Sequence, residues 1–106
     1  MMVENDQIYE IIELAKSTGK IRKGLNEVTK SLERGEAKLV IVADDISPKE
    51  IAMHIPLLAK EKNIKCFKLG TKEELGVAAG VSVPTSAIAV VKEGEARKLI
   101  EQLKGE

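Results

Sequence analysis

Leu39-Val40-Ile41-Val42-Ala43 is an unbroken apolar run, too short for an ordinary helix and without a polar residue on either alternating face. A strand can lack a polar face only where both faces are covered, so the run predicts a central strand with helices packed on each side. The rest of the chain supplies such helices. Ile8, Ile11, Ile12 and Ala15 recur at helical spacing after Asn5 or Asp6, either of which can cap, and Gly19 supplies a stop. Lys20 to Lys23 reads as a brief extended segment, and a second helix follows from Leu25 to Arg34 with Val28 and Leu32 inward and Gly35 at its C-terminus.

After the central strand, Asp44-Asp45-Ile46 forms a turn. Ser47, Pro48 and Glu50 then have the spacing of a capping box with proline at the first helical position. The third helix is expected to turn Ile51, Ile55, Leu58 and Ala59 to the core, with Pro56 kinking or weakening it. Lys65 to Leu69 reads as an edge strand because of Lys65 and Lys68. Thr71 and Glu74 repeat the capping-box pattern for a short helix through Ala79, closed by Gly80. Ala87 to Val91 is a further strand, and Ala96, Leu99, Ile100 and Leu103 form the inward stripe of a last helix. Helices and strands alternate throughout, which predicts an α/β fold. Residues 1–106 are expected to form a single domain, a three-layer α/β/α sandwich on a mixed sheet of about four strands.

Composition narrows the function. With 43% hydrophobic and 32% charged residues the chain is of the globular type, and no apolar run approaches the roughly 20 residues that cross a bilayer. The start Met1-Met2-Val3-Glu4-Asn5-Asp6 is acidic where a signal peptide is basic, so a cytoplasmic location with no membrane partner is expected. Cys66 is the only cysteine, which excludes an internal disulfide and a cysteine-based metal site. The formal net charge is zero, but residues 1–15 carry −4 and residues 16–38 carry +4. A local basic patch of this kind suits phosphates.

That patch surrounds Ile21-Arg22-Lys23-Gly24-Leu25-Asn26-Glu27-Val28-Thr29-Lys30. Gly24 has no Cβ, so another backbone can approach there, and the N–H groups of the helix that starts next face an incoming anion. Asn26, Glu27 and Lys30 can point the same way from the helix start and offer donors and acceptors that match base edges. The same residues are explained equally well by a solvated helix start with a surface Glu27–Lys30 pair. The loop Val81-Ser82-Val83-Pro84-Thr85 is apolar where a surface loop is usually polar, and it either tucks onto the sheet or forms an exposed contact surface.

Other features carry less. His54, the only histidine, has no ligand-spaced partner and is assigned no role. Asp44 and Asp45 follow a central strand, where α/β enzymes keep acids, but turn chemistry explains them, and there is no partner acid, nucleophile or phosphate loop. No catalytic residue, metal or cofactor is therefore expected. Gly19-Lys20 lacks the following Ser or Thr and the earlier glycine of a P-loop. Cys66 reads as a small core residue. Tyr9 and Phe67 are the only aromatic residues, so any RNA would have to be met by aliphatic and polar groups.

The basic turn, the Asn26-Glu27-x-x-Lys30 helix start and the apolar loop, together with Leu39 to Asp45, Pro48 to Leu58 and Leu75-Gly76 through Gly80, closely resemble the kink-turn-binding archaeal ribosomal proteins called L-seven-Ae. The resemblance covers almost the whole chain. It implies a non-enzymatic RNA-binding protein that recognises kink-turns, RNA helices bent sharply at a bulge next to tandem sheared G·A pairs. It also implies roles in the large ribosomal subunit and in box C/D and H/ACA guide-RNA particles, with RNase P, and so tRNA processing, a further setting. The implied partners are rRNA or guide RNA and the proteins of those particles, with a monomer when free. By position, Gly24 would admit the RNA backbone, Lys23 would meet phosphate, and Asn26, Glu27 and Lys30 would contact the G·A guanines. Ile51, Val81, Val83 and Pro84 would pack on the bulged nucleotides. Leu25 and Ser47 depart from the family's usual small or Thr residue and acidic residue. The alternative is a related thirty-e-type or bacterial-type ribosomal protein with a mainly structural rRNA role, and a small enzyme using Asp44 or Asp45 ranks behind both.

Overall fold

The computed structural model describes residues 5–103; Met1 to Glu4 and the capping role read at Asn5 fall outside the described part. The helices are α1 (Asn5–Thr18), α2 (Leu25–Glu33), α3 (His54–Glu61), α4 (Lys72–Ala78) and α5 (Arg97–Gln102), and the strands are β1 (Lys20–Lys23), β2 (Leu39–Val42), β3 (Lys65–Lys68) and β4 (Ala87–Lys92). Short 3-10 turns at Lys49–Ala52 and Gly94–Ala96 precede α3 and α5.

The sheet runs in the order β1-β4-β2-β3. β2 is antiparallel to β4 and parallel to β3, and β1 is antiparallel to β4 at the opposite edge. The sheet is mixed, as expected, and the apolar run supplies an interior strand buried at all four positions. Lys20 and Lys23 at the ends of β1 and Lys68 at the end of β3 are exposed on the two edge strands, which discourages pairing with another chain. α1 packs on β1 and β4 and against α4, whereas α2 packs on the same two strands and against α3, so the helices form one layer on each side of the sheet. In α1 the side chains of Ile8, Ile11, Ile12 and Ala15 are fully buried, and in α2 Val28 and Leu32 are. Each large aliphatic among them contributes roughly 1.5–3 kcal/mol by leaving water. α2 ends in a Schellman arrangement, with Glu36 N–H donating to Ser31 O (2.9 Å) and Gly35 N–H to Leu32 O (3.0 Å).

Two identical capping patterns have different outcomes. At Thr71 the box forms: Glu74 N–H donates to Thr71 Oγ1 (3.1 Å) and Thr71 N–H to Glu74 Oε1 (3.0 Å). The Tyr9 hydroxyl donates to the same carboxylate oxygen (3.0 Å) and ties α1 to α4. The Thr71 backbone N–H, then the Tyr9 hydroxyl, hold the Glu74 carboxyl below its ordinary value of 4.5. Burial, then the hydrogen bond to Glu74, push the Tyr9 phenol up to about 12. At Ser47 the box does not form. Pro48 is itself the N-cap at extended angles (φ −71, ψ 152), and no side chain caps the turn that follows.

The third helix also differs from expectation. It is broken into a 3-10 turn and α3, which restarts at His54, so Pro56 is the third residue of α3. Proline is tolerated there because a first-turn N–H has no intrahelical acceptor, and of the expected kink or weakened turn it is a break just before Pro56 that is found. The break rotates Ile51 out of the core to 49% exposure, while Ile55 and Ala59 stay fully buried. Cys66 is half-buried beside the core, and burial pushes its thiol up to about 11.

Candidate nucleic-acid interface

The register brings the sequence-selected segments to one end of the sheet. Lys23 pairs with Ile88, Val42 pairs with both Ala87 and Lys68, and so β1, β2 and β3 end where β4 begins. Gly24 N–H donates to Ala87 O (2.9 Å) and Ala43 N–H to Ser86 O (2.9 Å). The start of α2, the end of β2 and the exit of the 81–85 loop are thereby held together by backbone bonds.

Gly24 is the N-cap of α2 at φ 97, ψ 153, a conformation open essentially only to glycine. A Cβ built there would meet nothing within 4 Å, so the backbone angles, not crowding, demand glycine, and the space beside it is open. No side chain caps the helix. Its first-turn N–H groups therefore have neither an intrahelical nor a side-chain acceptor, the arrangement that receives anions. Asn26, Glu27, Lys30 and Lys23 are all exposed around this start. Leu25, by contrast, turns inward and packs partly buried against the core. Lys30 Nζ lies 3.7 Å from Glu27 Oε2, with both side chains about half exposed, so the surface pair read from the sequence is present. A pair this exposed contributes about 0–1 kcal/mol, little enough to be exchanged for a ligand's groups.

The apolar loop divides residue by residue. Val81 N–H donates to Gly76 O (3.0 Å) and Thr85 N–H to Lys72 O (2.9 Å), which lays the loop along α4. Gly76 makes this possible, since a Cβ there would run into the Val83 carbonyl. Val81 packs half-buried on the core and Thr85 is buried, but Val83 is 61% exposed and Pro84 is exposed. Both sequence alternatives are thus realised, tucking at Val81 and exposure at Val83 and Pro84.

Asp44 and Asp45 are exposed turn residues: Asp45 Oδ1 accepts from the first N–H of α4, at Lys72 (3.0 Å), and Asp44 lies 4.0 Å from Lys68 Nζ. No group of three or more His, Cys, Asp or Glu side chains that could hold a metal occurs among the described residues. Two features are not foreshadowed by the sequence. His54 Nε2 lies 2.9 Å from Thr29 Oγ1 on α2, a contact no spacing rule announces. Ile46, Met53, Pro56 and Leu57 help line an apolar groove of about 350 Å³ with Lys49 and Lys68 at its border. Met53 and Leu57 are exposed apolar side chains of this groove.

The family model described as "Ribosomal protein L7Ae/L30e/S12e/Gadd45 family" matches residues 6–100. The chain belongs to that family. Among solved structures, this L7Ae-family chain is similar to the Giardia lamblia 15.5kD RNA binding protein, with 31% sequence identity and a TM-score of 0.87. The match covers 95% of the L7Ae-family chain and 87% of the Giardia protein. The family match spans every strand and all helices but the last residues of α5 and the first of α1. No helix among the described residues is long and apolar enough to cross a membrane.

Proposed function

We propose that this L7Ae-family chain is an RNA-binding protein that recognises kink-turns and acts without catalysing a reaction. The observation that carries the reading is the uncapped start of α2, where a φ 97 glycine leaves N–H groups and open space beside exposed Asn26, Glu27 and Lys30. Phosphate oxygens suit the N–H groups and Lys23, while the amide, carboxylate and ammonium suit guanine edges. Exposed Val83, Pro84 and Ile51 supply apolar surface for the unstacked nucleotides of the bulge. The Giardia relative's description as an RNA-binding protein supports the reading. The resemblance extends it to rRNA in the large subunit and to guide RNAs in box C/D and H/ACA particles, with the proteins of those particles as partners. The 106 residues would serve as one kink-turn-binding domain.

The divided loop tests the proposal. Val83→Ser is expected to weaken kink-turn binding severalfold at every salt concentration, mainly by faster dissociation, and to leave thermal stability nearly unchanged. Val81→Ser is expected to do the reverse, costing on the order of 1–2 kcal/mol of stability while the folded protein keeps its affinity. Binding titrations and melting curves on the two variants check both halves. Unaltered RNA affinity in Val83→Ser would remove the loop from the interface.

A further inference from the structure

His54 stands at the first residue of α3 and reaches across to α2. The Thr29 hydroxyl between them has one proton and two neighbours, the Leu25 carbonyl oxygen at 2.7 Å and His54 Nε2 at 2.9 Å. A carbonyl can only accept, so the hydroxyl proton goes to Leu25 O and Thr29 Oγ1 accepts from His54, which places a proton on Nε2. The resulting relay, from His54 to Thr29 to Leu25, runs from the first residue of α3 to the first residue of α2. Asn26 and Glu27 follow Leu25 directly.

α2 has nine residues and no capping side chain at Gly24. Helices this short are marginal on their own, and their first turn is where they fray. A capping side chain would steady that turn, as Thr71 does in α4, but it would occupy an N–H group that the RNA reading leaves for phosphate. The relay fixes the turn from the side instead and leaves its N–H groups open. We infer that His54 is a positioning residue for base recognition, holding the first turn of α2 against α3 through Thr29 so that Asn26 and Glu27 meet the RNA in a set orientation. The inference rests on the kink-turn reading and adds to it a residue outside the binding row.

The test compares affinity for a kink-turn RNA with affinity for the same RNA whose G·A pairs are replaced by Watson–Crick pairs. Wild type, His54→Ala, His54→Gln, Thr29→Val and the His54→Ala/Thr29→Val double variant are titrated with both. His54→Ala and Thr29→Val should each lower the preference for the kink-turn roughly three- to tenfold, the loss expected when one partly exposed hydrogen bond no longer orders the site. The double variant should lose no more than either single one, because both remove the same relay. His54→Gln should keep most of the preference, since its amide also donates, a rescue that loss of packing alone would not show. Affinity for the control RNA should not change, and melting temperatures should fall by no more than about 10 °C, what one lost hydrogen bond costs a domain of this size, because Val28, Leu32 and Ile55 stay fully buried. Full preference in His54→Ala, or a double variant that loses the product of the two single losses, overturns the inference while the kink-turn reading stands. A wild-type chain without preference overturns that reading and the inference with it.

Discussion

Glu27→Ala is expected to cost roughly 1–3 kcal/mol of kink-turn affinity, and the sign of that change is as informative as its size. The substitution removes a negative charge from a basic patch that faces phosphates. If the patch attracted RNA by charge alone, its loss would tighten binding at low salt. Base recognition requires the opposite, because the Glu27 carboxylate accepts hydrogen bonds from guanine edges and those donors lose their partner in the variant. Folding stability should hardly move. Glu27 is exposed, and its 3.7 Å pairing with Lys30 is too exposed to contribute more than about 1 kcal/mol. Titration at two salt concentrations, with a melting curve for each protein, checks the prediction. Equal or tighter binding by Glu27→Ala at both concentrations would show that charge, not base recognition, governs this surface.

Gly76→Ala is expected to destabilise the protein by about 1–3 kcal/mol, against the direction that helix propensity alone would give. Alanine is favoured over glycine inside a helix by roughly 0.8–1 kcal/mol, so a freely exposed site would gain stability. Gly76 is buried, and an added methyl group would meet the carbonyl of Val83, which is backbone and cannot turn aside like the end of a side chain. The loop must lift from α4, which strains the Val81 and Thr85 hydrogen bonds that lay it down. A loss of this size lowers the melting temperature of a domain this small by about 4–8 °C per kcal/mol. RNA affinity should fall as well, since Val83 and Pro84 would be displaced with the loop. Denaturant titration of the variant decides the first point; stability at or above wild type would mean that the loop does not rest on the helix at this position.

Most of the architecture is local enough to read in the chain. The stripe Ile8, Ile11, Ile12, Ala15 and the run Leu39 to Ala43 carry their own periodicity, and Thr71 and Glu74 close a box within four residues. The failures occur where the deciding contact is distant or where one local rule displaces another. Ser47 and Glu50 have the same spacing as Thr71 and Glu74, yet the extended angles at Pro48 delay the turn and leave it uncapped. With the helix restarted at His54, Ile51 moves from the expected core face to the surface. Val81 and Val83 are two residues apart in one apolar loop. Which of them turns inward depends on how the loop crosses Gly76, and nothing in five residues of sequence encodes that. The exposure of Asn26, Glu27 and Lys30 around an uncapped helix start is legible in the chain; the link from Thr29 to His54, 25 residues along, is not.

If this surface recognises the G·A pairs of a kink-turn and not RNA charge in general, two RNAs of equal length and charge should bind it very differently. A competition titration at fixed salt between a kink-turn RNA and an RNA in which the tandem G·A pairs are replaced by Watson–Crick pairs measures that difference. At roughly 1–3 kcal/mol for each replaced pair, a preference for the kink-turn on the order of thirtyfold or more is expected. Equal affinity for the two RNAs would refute recognition of the G·A pairs.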